Sequence, residues 1–195
     1  MEILTIDFTS GAVDHRRRFG GGRGQALPRA VGMKSGNAPF VVDATAGLGR
    51  DSFLLASLGA TVTMIERSES VHALLAKALD KARNHEQTAP IIARITLILG
   101  DARLVLPGLS PEVVLVDPMH PPRKSSALVK QDMRALRAVV GTDPDAVDLM
   151  EVALLTATKR VVLKWPLRAA PIDGIPAASH QITGKSTRYD VFMLG

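Results

Sequence analysis

The sequence predicts an α/β fold, a mostly parallel twisted sheet with helices on both faces. Three observations carry that reading. From Phe40 onward, short apolar runs alternate with segments of helical periodicity. Several of the apolar runs end in an acid. Glycines punctuate the joints at Gly47, Gly49, Gly59, Gly100 and Gly141. Strands that alternate with helices imply right-handed crossovers, and hence parallel neighbours.

The elements follow in order. Residues 1–10 read as a short strand on Ile3, Leu4, Ile6 and Phe8. Residues 11–39, rich in Gly and Arg, read as a loop with a short helix near 27–31. FVVDA (40–44) is a buried-type strand, and TAGLGR (45–50) a glycine turn. Residues 51–58 read as a helix with Leu54, Leu55 and Leu58 on one face, stopped by Gly59. TVTMIE (61–66) is a second strand. Ser68 or Ser70 caps the next helix, where Val71, Leu74, Leu75, Ala78, Leu79 and Ala82 keep helical spacing. ITLIL (95–99) and EVVLVD (112–117) are the third and fourth strands. Val129, Met133, Leu136 and Val140 mark a helical face ending at Gly141. Asp143 then caps, and Pro144 opens, a helix to about Thr158. RVVLK (160–164) is a fifth strand, and 188–194 alternate like a final one. The chain thus divides into a basic, Gly-rich extension (1–39) and an α/β domain (40–195).

At 195 residues the chain is one domain with or without an appendage. With 46% hydrophobic and 22% charged residues, a packed core forms and global disorder is excluded. The absence of Cys rules out a disulfide scaffold, a thiolate metal site and a Cys nucleophile. His15, His72, His85 and His180 lack metal-ligand spacing, so no metal is expected. No apolar run reaches a membrane span, and Glu2 and Asp7 stand where a signal peptide would be apolar, so the expected compartment is the cytoplasm. The net charge of +5 permits a polyanionic partner. Residues 15–34 hold Arg16, Arg17, Arg18, Arg23, Arg29 and Lys34 and no acid. Phosphate contact and a solvated tail both explain that stretch.

In parallel α/β sheets, ligands bind at the carboxyl ends of the strands. Here those ends carry Asp43, Glu66, Asp101 and Asp117. Two readings of the first turn compete. A nicotinamide site asks for G-x-G-x-x-G with an acid some twenty residues on; Gly47, Gly49 and Glu66 nearly satisfy it, but Ser52 holds the third position. An S-adenosylmethionine site, D-x-x-x-G-x-G, also gives Asp43 a role at the amino-acid end of the ligand. Glu66 then accepts the ribose hydroxyls and Asp101 the adenine amine. Arg50 opens a helix against the dipole, which favours a ligand carboxylate as its partner, whereas Asp51 is an ordinary first-turn acid. Arg67 lies over adenine or faces water.

LVDPMHPP (115–122) is stiff and poor in donors, with Pro118, Pro121 and Pro122. Such a loop suits an acceptor role: the Asp117 carboxylate and a backbone carbonyl can grip the two N–H bonds of a nucleobase amine. It resembles the (D/N)-P-P-(Y/F/W) motif of amino-group methyltransferases, with Met119 for the second proline and His120 for the stacking aromatic. Arg123, Lys124 and Lys130 follow as phosphate-binding candidates or a solvated helix start.

Taken together, HRRRFGGGRGQ (15–25), VVDATAGLGRD (41–51), IERS (65–68), VDPMHPPRKSSALVKQDMR (116–134) and ATKRVVLK (157–164) resemble the bacterial family of small-subunit ribosomal RNA guanine-N2-methyltransferases, the RsmJ family. The resemblance implies a Rossmann-like class I methyltransferase fold over 40–195 with an antiparallel last strand. It implies S-adenosyl-L-methionine as donor, S-adenosyl-L-homocysteine as product, and a guanine amine of 16S rRNA, free or in the small subunit, as acceptor. By position it places cofactor contacts on Arg50, Asp51, Glu66, Arg67, Asp101, Ala102 and Asp117, beside Asp43, Gly47 and Gly49 of the glycine turn. Catalysis falls on Asp117, Pro118 and His120, and RNA contact on Arg16, Arg17, Arg18, Arg23, Arg123 and Lys124. The family can carry small hydroxyl residues at 101–102 and an aromatic at 120, where this chain has Asp-Ala and His. Two alternatives stand beside this reading: a nicotinamide-dependent oxidoreductase, and a non-catalytic RNA-binding module with a vestigial cofactor site.

Overall fold

A computed structural model describes residues 4–34, 36–119 and 145–195. Among them are seven strands: β1 (Phe40–Asp43), β2 (Thr61–Glu66), β3 (Ile95–Leu99), β4 (Val113–Val116), β5 (Arg160–Pro166), β6 (His180–Thr183) and β7 (Thr187–Met193). They form one sheet in the order β3-β2-β1-β4-β5-β7-β6. The first five are parallel; β7 runs antiparallel to both β5 and β6. The sheet grows one way through β2 and β3, then the other way from β4. The reversal between β1 and β4 leaves a crevice beyond their carboxyl ends.

The helices are α1 (Gly11–Phe19), α2 (Ala26–Ala30), α3 (Arg50–Ser57), α4 (Glu69–Arg83), α5 (Ala89–Ile92), α6 (Ala102–Val105) and α7 (Ala146–Thr156). Ser68 caps α4 by accepting from Val71 N. The two-residue period of the strands divides the core. Val41, Val113, Leu115 and Val162 face one cluster with Leu54 and Leu55 of α3 and Leu75 of α4. Val42, Val114, Val116 and Leu163 face the other, with Leu149 and Met150 of α7.

Four expectations change. Residues 4–10 form no strand. Asp7 accepts from the Thr9 amide (2.8 Å) and hydroxyl (2.7 Å), which turns the chain into α1. The arginine-rich stretch is partly helical, because Asp14 pairs with Arg17 and Arg18 one turn on. The edge strand β6 escapes the pattern because only Ile182 is even partly buried. The short α5 and α6 are single turns that carry no periodicity. The helical face expected at 129–141, with Asp143 and Pro144, lies outside the described residues, and the last predicted helix begins at Ala146 and ends at Thr156.

The segment before β1 is part of the core. Phe8 is fully buried and stacks on Phe53 of α3, ring centroids 4.9 Å apart. Leu27, Ala30, Val31 and Met33 join the same cluster. Phe8→Ala is expected to cost about 3–5 kcal/mol, as large-to-small changes at filled sites do. Denaturant unfolding measures it; a loss under about 0.5 kcal/mol, the range of surface changes, would make the segment an appendage.

Candidate active site

The crevice at the β1/β4 switch is lined by Ala44, Thr45 and Gly47 from the glycine turn and by Glu66 and Arg67 from the end of β2. Asp101, Ala102 and Arg103 line it after β3, and Asp117 and Met119 after β4. Asp145 and Leu149 close it from the side of α7. Of the acids expected at strand ends, three therefore share one cleft. Asp43, Gly49, Arg50 and Asp51 do not line it.

Glu66 is buried and is held from both sides. Its Oε2 accepts from Gly47 N at 2.9 Å and its Oε1 from Ser68 N at 2.8 Å. Burial pushes its carboxyl above the usual range, against those donors. Gly47 takes φ +51, a left-handed backbone that delivers its amide to Glu66. A carboxylate has two acceptor oxygens, which suits a vicinal diol. Asp101 caps α6 through Arg103 N (2.9 Å) and pairs with the Arg103 guanidinium (2.6 Å). That pairing holds its carboxyl below the usual range. Arg103 also reaches Asp145 at 3.3 Å, and Arg67 pairs with Asp145 at 2.9 Å, so a charged cluster closes this rim. Arg67 and Asp101 thus already hold protein partners.

Asp43 behaves differently. Its side chain turns inward, accepting from Ser52 Oγ (2.6 Å) and Thr45 N (3.2 Å). Burial, reinforced by Asp51 and Asp117, pushes its carboxyl up to about 7. It ties the turn to α3 rather than facing the cleft. Ser52, which spoils the nicotinamide pattern, is its buried donor. Gly49, with φ +67, could not carry a Cβ without meeting Leu75 Cδ2 at 2.8 Å and Phe8 Cζ at 3.1 Å. Its glycine is thus required by packing and backbone conformation.

Asp51 is not an ordinary first-turn acid. Arg16 Nη1 lies 2.6 Å from its Oδ1 and Lys164 Nζ 2.8 Å from its Oδ2. Burial alone would raise its carboxyl; Lys164 and Arg16 outweigh it and bring it down to about 2. The same Lys164 ammonium is 2.5 Å from Asp117 Oδ2. Burial would push that ammonium down, but the two carboxylates hold it well above its ordinary value. The Asp117 amide donates to Thr45 Oγ1 at 2.7 Å, joining the β4 loop to the glycine turn, and Pro118 is buried behind it. Lys164 and Thr45 were not singled out from sequence. The available signal was a lysine closing the otherwise apolar run RVVLK.

The basic stretch is less free than a solvated tail. Besides Asp51, Arg16 contacts Gln25 (3.2 Å). Arg17 and Arg18 pair with Asp14, and Arg23 donates to the carbonyls of Lys34 and Leu58. His120, Arg123, Lys124 and Lys130 lie outside the described residues.

The raised carboxyl of Asp43 makes a prediction about stability. A folded-state value near 7 against an ordinary 3.8 means that its ionisation opposes folding. Its contribution is most favourable below pH 4 and declines until about pH 7. Thermal unfolding of Asp43→Asn, which cannot ionise, should therefore gain on the parent between pH 4 and 7 and show a constant difference above that. A difference independent of pH across this window would show that Asp43 is ionised in the fold.

Known proteins agree with the geometry. The family described as "Putative SAM-dependent methyltransferase" matches residues 1–194. A ribosomal RNA small subunit methyltransferase J from Brucella anthropi is 63% identical over 97% of this chain and 93% of its own length. Its namesake from Agrobacterium fabrum is 62% identical over 99% and 93%. The crystal structure of a SAM-dependent methyltransferase from Neisseria gonorrhoeae superposes with a TM-score of 0.78 at 40% identity, covering 99% of this chain and 75% of that one. The nicotinamide reading of the turn is set aside by this agreement. Identity of this extent along nearly the whole chain, on a shared fold, means that the protein belongs to the family of SAM-dependent methyltransferases that includes the ribosomal RNA small subunit methyltransferases J.

Proposed function

We propose that the protein methylates the exocyclic N2 amine of a guanosine in 16S ribosomal RNA, in the cytoplasm, with S-adenosyl-L-methionine as donor. The observation that carries this reading is that Glu66 and Asp117, from different strands, line one cleft at the switch point. The names of the relatives supply the RNA class. No helix among the described residues is long and apolar enough to cross a membrane.

The residues present fit the donor. A buried carboxylate pinned by two backbone amides is a ready acceptor for ribose hydroxyls, and the Gly47 backbone stands beside it. Ala102, small and buried, leaves room for a flat ring next to Asp101. When bound, S-adenosylmethionine supplies a methyl group already activated by its sulfonium. The protein's task is then orientation. Asp117, at the end of β4, accepts from the guanine amine and aims its nitrogen. As the new N–C bond forms and the S–C bond breaks, the amine sheds one proton. The Asp117 side chain, 40% exposed, gives that proton a way to water. Positioning and electrostatics of this kind need no covalent intermediate on the enzyme. We also assign phosphate contact to the basic segment, with Arg16, Arg17, Arg18 and Arg23 on the described part and Arg123 and Lys124 beyond it. His120 is assigned to stacking on the extruded base.

Mass spectrometry of 16S rRNA tests the reading: cells lacking the protein should lose one N2-methylguanosine, and the wild-type gene should restore it. An unchanged RNA would refute it. Glu66→Ala should weaken S-adenosylmethionine binding about tenfold, on the order of 1.4 kcal/mol. Calorimetry showing a change below about twofold would remove Glu66 from the cofactor site. Asp117→Ala should abolish transfer while weakening the cofactor less; full activity would take it out of the reaction.

A further inference from the structure

We propose that Lys164 is a positioning residue for methyl transfer: its ammonium, seated between Asp51 and Asp117, fixes the direction in which the Asp117 carboxylate meets the acceptor amine. This inference rests on the function proposed above.

Asp117 directly follows β4 and opens a loop, and its side chain is 40% exposed. At that exposure, packing contributes little to the direction of its carboxylate. The amide of Asp117 is fixed by Thr45, but that bond sets the backbone and not the side chain. Lys164 acts on the side chain directly. It lies on β5 one residue beyond the pair Val116↔Leu163, so it is the neighbour of Asp117 across the sheet. Its Nζ is 2.5 Å from Asp117 Oδ2 and 2.8 Å from Asp51 Oδ2. A grip on Oδ2 sets the plane of the carboxylate and hence where Oδ1 points.

The ammonium is itself fixed. Asp51 sits in the first turn of α3 and is held on its other oxygen by Arg16 of α1. Arg16, Asp51, Lys164 and Asp117 thus form a line of alternating charge from the basic helix to the cleft. Two cations face two anions, so the line is neutral as a whole. Stability is a poor reason for such a line. Mostly buried ion pairs are often matched or exceeded by apolar residues of similar size, because desolvation offsets the attraction. Orientation of a reacting group is a better one. Misplacing such a group by about an ångström can cost on the order of a hundredfold in rate.

The test compares Lys164→Met, Lys164→Gln and Lys164→Arg in the full chain, with small-subunit rRNA as methyl acceptor. Lys164→Met should lower kcat about a hundredfold while KM for RNA and the cofactor dissociation constant stay within about threefold. Lys164→Arg, which keeps the charge and can still reach both carboxylates, should recover kcat to within about tenfold of the parent. Lys164→Gln, neutral but polar, should fold and behave like the methionine variant. A kcat within about threefold of the parent in Lys164→Met or Lys164→Gln overturns the proposal. So does a fall in kcat matched by an equal fall in cofactor affinity, or loss of cooperative unfolding in both neutral variants, since either marks a purely structural lysine. If the parent protein itself transfers no methyl group to small-subunit rRNA, the proposed function fails, which is distinct from an active parent with active neutral variants.

Discussion

Carboxylates gathered at the ends of parallel strands repel one another and lose water together, and the site is organised around meeting that cost. Asp43, Asp51 and Asp117 are near enough for Asp51 and Asp117 to raise the Asp43 carboxyl. Each is settled differently. Asp43 takes a hydroxyl and a backbone amide and sits near neutrality. Asp51 takes two cations and stays ionised. Asp117 shares one of those cations and keeps its place at the mouth of the cleft. The fold thereby raises one carboxyl and lowers its neighbour, by environment alone.

The segment before the sheet takes part in this arrangement. Phe8 packs under the glycine turn against Phe53, and Arg16 reaches Asp51 from α1. A region with the composition of a solvated arm is instead bonded to α3.

Much of the fold was legible because its signals are local. The runs TVTMIE and ITLIL coincide with β2 and β3, since an apolar run bounded by turn residues carries its own limits. A serine cap, Ser68 or Ser70, was legible before α4, and the structure selects Ser68, whose hydroxyl accepts from Val71 N. The strand-end acids at 66, 101 and 117 could be placed on one rim because parallel topology puts all carboxyl ends on the same side. Residues 4–10 misled because alternating Leu4, Ile6 and Phe8 look like a strand, while Asp7 turns the chain after it. Helix α1 was hidden by its arginines and the glycines that flank it, and its support comes from ion pairs rather than an apolar face.

By itself, then, the sequence determined β1 to β5, β7, α3 and α4, the glycine turn after β1, and the acceptor-rich loop after β4, because each depends on residues a few positions apart. Tertiary structure alone decided which acid is raised, which is paired, and which faces the cleft. Those outcomes depend on burial and on charges brought together across the chain: Arg16 reaches Asp51 over 35 residues, Lys164 reaches Asp117 over 47 and Asp51 over 113. No window of sequence contains such pairs, and the strength of a charge interaction is set by distance in space and by the surrounding dielectric.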